Sequence, residues 1–208
     1  MLFPAPNASG VSNNYIVNPN KTQYSSTYDA RVDHKLNDSS MFFGRFSYNN
    51  VKSVTPPALG TAANRLQISG GRFLYAGPAT DTAQQYAFGF THSFSPNLLL
   101  DLRAVFTRIN NFSAPLNYGA NADTTVGFGA NMNFNSLSNS LTPVGIGSFS
   151  DLGDGAFVPL RDIDNTYLYG ATVTYIKGTI ISAQVRLSSV VKPGTRKAPL
   201  LSVSTALA

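Results

Sequence analysis

The sequence predicts an all-β fold of antiparallel strands joined as hairpins. Three observations carry this. Apolar and polar residues alternate with period two in five separate segments of about ten residues. No stretch shows the 3.6-residue spacing of an amphipathic helix with comparable clarity. Short turn-forming connections alternate with connections far longer than a compact domain ordinarily uses.

The first segment, Thr27 to Leu36, puts Tyr28, Ala30, Val32, His34 and Leu36 in one phase and Asp29, Arg31, Asp33 and Lys35 in the other. The second, Met41 to Asn49, sets Phe42, Gly44, Phe46 and Tyr48 against Arg45, Ser47 and Asn49, with Met41 and Phe43 as intruders in the polar phase. Gln84 to Phe94 opposes Tyr86, Phe88, Phe90, His92 and Phe94 to Gln85, Ala87, Gly89, Thr91 and Ser93. Leu98 to Arg108 opposes Leu98, Leu100, Leu102, Ala104 and Phe106 to Asp101, Arg103 and Thr107, with Leu99 and Val105 as exceptions. Tyr167 to Ile176 opposes Tyr167, Tyr169, Ala171, Val173 and Tyr175 to Gly170, Thr172 and Thr174. Asn37-Asp38-Ser39-Ser40 and Ser95-Pro96-Asn97 are turn formers and close the first two hairpins. The long connections fall at residues 50–82 and 110–165.

Composition narrows the setting. The chain has 208 residues, 43% of them hydrophobic and 12% charged, which fits one ordinary domain and excludes a solvated disordered tail. It has no Cys, so no disulfide framework or thiolate metal site exists. Trp and Glu are absent too, and all ten acids are Asp. The formal charge of +5 is not spread over the chain: residues 1–176 hold ten Lys or Arg against ten Asp, and the excess sits in the last 32 residues. A neutral body of this kind lacks the basic footprint of a phosphate-tracking surface, and no nucleic-acid partner is expected. The opening MLFPAPNASG has no basic start leading into an apolar stretch, so it does not read as a signal peptide. No apolar run of about 18 residues offers a transmembrane helix. Any membrane must therefore be crossed by strands.

Strands of about ten residues suit a tilted crossing of the hydrocarbon layer. With one apolar and one polar phase, tight turns and long loops, they make the signature of a transmembrane β-barrel. The aromatic ends Tyr28, Tyr48, Tyr86, Phe94, Phe106, Tyr167 and Tyr175 match interfacial girdles. The expected organisation is an extended segment or loop over 1–26, a partial barrel over 27–178 with long extracellular loops at 50–82 and 110–165, and an atypical tail over 179–208. Five clear strands plus one or two weaker ones give about six or seven, too few to close the smallest eight-stranded barrel. The competing reading is a secreted or cell-surface β-sandwich binding module, adhesin-like or lectin-like, whose strands alternate because one face packs on a core.

Four stretches carry a family resemblance. They are Leu2-Phe3-Pro4-Ala5-Pro6-Asn7; Asn14-Tyr15-Ile16-Val17-Asn18-Pro19; Tyr28 to Leu36 with Phe43-Gly44-Arg45-Phe46-Ser47-Tyr48; and the run from Phe149-Ser150-Asp151-Leu152-Gly153-Asp154 through Phe157-Val158-Pro159-Leu160 and Asn165-Thr166-Tyr167 to Tyr175-Ile176-Lys177-Gly178. In this order they resemble the barrel portion of the large TonB-dependent outer-membrane receptors with a carboxypeptidase-regulatory-like domain, as found in Acidobacteria. The resemblance implies a fragment of a longer receptor with a plug and a barrel of about 22 strands. It also implies location in the Gram-negative outer membrane. The partners it implies are membrane lipid, the TonB complex through the plug, and a small solute such as a siderophore, oligosaccharide or peptide, with no cofactor. The family pattern ends at Lys177-Gly178, where Thr179-Ile180-Ile181-Ser182 breaks phase and Arg186, Lys192, Arg196 and Lys197 follow without acids; a frameshift or truncation is the expectation there.

The candidate functional residues are those that would line the barrel lumen: Asp29, Arg31, Asp33, Lys35, Arg45, Asp101 and Arg103. Their alternating charges are expected to pair across strands, and in a complete receptor to meet plug or solute. No catalytic residue is expected, because His34 and His92, the two histidines, fall on apolar phases without a second ligand or a nucleophile. Asp151, Asp154, Asp162 and Asp164 offer oxygen ligands, but Ser-Asp-Leu-Gly-Asp-Gly is turn-forming composition and the twelve-residue calcium loop is absent, so no metal is expected. Loop residues 110–139, rich in Asn, Ser, Gly and Tyr, have a composition suited to ligand capture and equally to flexibility.

Overall fold

The structure is a computed structural model that describes residues 3–62, 65–129, 139–145, 147, 149–177, 180–191 and 200–206. Seven strands form one sheet in chain order: β1 (Thr22–Asn37), β2 (Ser40–Thr55), β3 (Gly77–Ser95), β4 (Leu98–Ser113), β5 (Leu160–Lys177), β6 (Ile180–Val191) and β7 (Leu200–Ala206). One helical turn, α1 (Ala122–Thr125), lies between β4 and β5. Contacts divide the chain into a loop unit (Met1–Ser25, Val51–Asp81, Asn111–Asp162) and a sheet unit (Ser26–Asn50, Thr82–Asn110, Ile163–Ala208).

In the sheet unit the alternating segments become strands whose phases separate cleanly. Ring contacts join the apolar phases of neighbouring strands: Tyr28 with Tyr48 at 6.1 Å, then Phe46 with Tyr86 at 4.9 Å, Tyr86 with Phe106 at 6.2 Å and Phe106 with Tyr167 at 4.9 Å. Later residues of one strand meet earlier residues of the next, as Tyr28–Tyr48 and His34–Phe42 do across β1 and β2 and Ser40–His92 and Phe46–Tyr86 do across β2 and β3, so the sheet is an antiparallel meander. Asn37 closes the first hairpin by accepting the Ser39 N–H on its side chain at 2.9 Å.

The strands are longer than the period-two pattern indicates. β1 to β5 run 16 to 19 residues. Backbone pairing needs no side-chain alternation, so it continues beyond the apolar band. The long connections shrink accordingly, to residues 56–76 and 114–159. The stretch set apart as a tail also pairs: β6 lies antiparallel to β5 with Val173 opposite Val185, and β7 to β6 with Val185 opposite Val203. The β5–β6 connection, residues 178–179, lies outside the described residues.

Burial is divided unevenly. Every buried apolar side chain among the described residues up to Lys177, including Leu66, Ile68, Ala114, Leu141 and Leu152, belongs to the loop unit. In the sheet unit Tyr28 is 64% exposed, Val32 63%, Phe88 59% and Tyr169 53%. A soluble sandwich would cover this face with a second sheet, and the described strands form only one.

Candidate functional site

The seven charged candidates occupy strand positions in the phase opposite the aromatic face. Asp29 accepts from Arg45 Nη2 at 3.0 Å and from the Ser47 hydroxyl, both on β2. Arg31 grips Asp33 with two hydrogen bonds of 2.7 and 2.8 Å, and Arg103 Nε donates to Asp101 at 2.8 Å. Lys35 pairs with Asp38 of the turn. Of these ion pairs only Asp29–Arg45 crosses strands. Residues two apart in a strand share a face, and an arginine side chain spans that step, so pairing along the strand competes with the cross-strand pairing expected from sequence. Thr91 continues the polar row by donating to Asp101 at 3.2 Å, and Asn49 by donating to Thr27 at 2.8 Å.

Phe43, the intruder in the polar phase, has a structural explanation. The Arg31 guanidinium lies 4.5 Å from its ring centroid, and the ring covers Gly89 on β3 so closely that a Cβ there would come within 2.1 Å of it. The glycine makes room and the ring fills it. Both histidines lie on the aromatic face, as their phase implies. His34 packs on Phe42 at 5.6 Å, and His92 shares a 2.8 Å hydrogen bond between its Nδ1 and the hydroxyl of the buried Ser40.

The loop unit holds a polar centre that sequence reasoning missed. Leu66, Ile68, Ala122, Leu141 and Leu152 form a small core, packed by Phe3, Leu59, Ala62 and Val126. Beside it Asp154, 1% exposed, accepts hydrogen bonds from the Ser69 hydroxyl at 2.8 Å, the Leu141 N–H at 3.0 Å, and Asn117 Nδ2 at 3.2 and 3.3 Å. Asn117 also pairs with both backbone groups of Gln67, at 3.0 and 2.6 Å. Asp123 in α1, fully buried, accepts from the N–H and hydroxyl of Thr142 at 2.7 and 2.6 Å. Burial raises the Asp154 carboxyl above its ordinary value, the four donated hydrogen bonds oppose that, and the charge of Asp123 adds to the rise. Asp151, by contrast, lies 3.9 Å from Arg72. Among the described residues no group of three or more His, Cys, Asp or Glu could hold a metal ion.

The 3–21 segment, expected as extended chain or loop, is tied into the same unit. The Asn7 side chain pairs with Ile16 as a strand neighbour would, accepting from its N–H and donating to its carbonyl, both at 2.7 Å. Phe3 packs on Phe149 at 5.6 Å. Residues 130–138 of the second long loop, within the stretch read as suited to ligand capture, lie outside the described residues.

A single meander with an exposed aromatic face, a charge-paired opposite face, two-residue turns at one end and long folded loops at the other defines a membrane β-barrel protein. The model of the outer membrane beta barrel domain family matches residues 1–179, and the chain belongs to that family. No curated protein and no solved structure matches it. Its place is the cell outer membrane.

Proposed function

We propose that this chain is part of the barrel of a TonB-dependent receptor of the large type with a carboxypeptidase-regulatory-like domain, and that it serves energy-coupled uptake of a solute such as a siderophore, oligosaccharide or peptide. The observation that carries the reading is the division of labour between the two units. The sheet unit supplies a wall with an apolar side for lipid and a charged side for a lumen, while the long loops carry a buried core of their own. A passive pore needs no such loop core. Asp29, Arg31, Asp33, Lys35, Arg45, Asp101 and Arg103 line the lumen in this reading, and their pairs leave exposed donors and acceptors for a plug or solute. The motifs of residues 2–19, 28–48 and 149–178 support the receptor type by resemblance. The cycle is capture by the loops followed by rearrangement of a plug, so the seven-stranded sheet alone is inactive and performs no catalysis.

Two measurements on the product of the complete gene test this. Reconstituted in a planar bilayer, a plugged receptor shows almost no steady ion conductance, and in outer-membrane vesicles it cross-links to the periplasmic part of TonB. Steady conductance without a TonB cross-link would make the protein a porin-like channel instead.

A further inference from the structure

Asp154 sits where the two long loops meet within the loop unit. Ser69 and Gln67 belong to the first loop, and Asn117, Leu141 and Asp154 to the second, so the Asp154–Ser69 bond and the Asn117–Gln67 pairs staple one loop to the other. Two backbone bonds reinforce the seam: Gly71 N–H to the Gly153 carbonyl at 3.0 Å, and Ala156 N–H to the Arg72 carbonyl at 3.1 Å. Among the described residues no Lys or Arg forms an ion pair with Asp154. The charge that bears on it is that of Asp123 in α1; Ser69 from the first loop, with Asn117 and Leu141 from the second, presents neutral donors.

We propose that Asp154 makes the two loops a proton-responsive clasp, which holds them together more firmly as the pH falls. An ionised carboxylate in this place carries a desolvation cost that three neutral donors offset only in part. A proton removes the cost, and the site has a seat for it. The Ser69 hydroxyl, 2.8 Å away, is the one partner able to turn from donor to acceptor, whereas Asn117 is locked in orientation by Gln67. The sign follows from linkage. Burial raises the carboxyl of Asp154 in the folded loops, so the folded form binds the proton more tightly than the open form. Stability is then fullest below the ordinary carboxylate value and is lost as the pH rises through the raised one.

Hydrogen exchange on the full chain in detergent micelles, corrected for intrinsic rates, at about pH 8 and about pH 5 reads this directly. The amides of Gly71 and Ala156, which donate across the seam, are expected to gain several-fold in protection at the lower pH. In Asp154→Asn the gain disappears. Protection that is flat or falls on acidification in the natural chain overturns the proposal. So does a response that survives Asp154→Asn, or one lost in Asp123→Asn while Asp154 is intact.

Discussion

Gly89 and Phe43 show how much a single position can decide. A methyl at Gly89 would overlap the Phe43 ring, and moving that ring away also ends its contact with Arg31. Gly89→Ala is therefore expected to cost about 1–3 kcal/mol, the range for overpacking, read as a lower unfolding midpoint of the complete gene product in detergent. Asp154 is the counterpart in the loops. Asp154→Ala leaves the donors of Ser69, Asn117 and Leu141 facing a void, at about 1–3 kcal/mol for each group left without a partner. Faster proteolysis of the loops, with the strands unaffected, is the expected readout. Neither role was legible in the sequence. Phe43 stood out only as a break in the alternation, and Asp154 sat in Ser-Asp-Leu-Gly-Asp-Gly, whose composition says turn. Its partners are 85, 37 and 13 residues away, and nothing local marks such distances.

At the scale of the element, period-two alternation located β1 to β5 because it records the different surroundings of the two faces. It did not locate their outer ends, since Val51–Thr55 and Gly77–Asp81 lie within β2 and β3 but show no apolar–polar alternation. It did not find α1 either, because one helical turn is too short to display a period. The phase assignment makes a sharp prediction. Leu102 lies on the apolar face of β4, at the centre of the apolar phase that runs from Leu98 to Phe106, so Leu102→Arg places a charge toward hydrocarbon, at a cost of about 2–4 kcal/mol near the bilayer midplane. Ala87→Arg on β3 points to the opposite face and is expected to be close to neutral. Unfolding of the complete gene product in lipid vesicles with a urea series compares the two, and equal costs would mean that the faces are misassigned.

The whole molecule combines a loop unit with a buried core and a sheet unit whose large apolar side chains are exposed along every strand from β1 to β5. Each side chain of this size forgoes about 1.5–3 kcal/mol when it stays in water, so the sheet face is tolerable only in contact with apolar matter. A second constraint acts at the margins. With β1 and β7 at the ends of the sheet, two rows of backbone donors and acceptors have no neighbouring strand among the described residues, and the seven described strands are fewer than the smallest barrel closes with. Lipid or detergent can cover the aromatic face, but neither can satisfy those backbone groups; only further strands can. The chain expressed by itself is therefore expected to aggregate in plain buffer and to stay dispersed with β-sheet circular dichroism in detergent, without the sharp unfolding transition of a closed barrel. Size-exclusion chromatography with light scattering, run with and without detergent, checks the first expectation, and a denaturant titration checks the second. A monodisperse monomer that unfolds cooperatively in buffer would mean that the aromatic face finds cover within the protein, and that face would then be the inner face of a soluble fold.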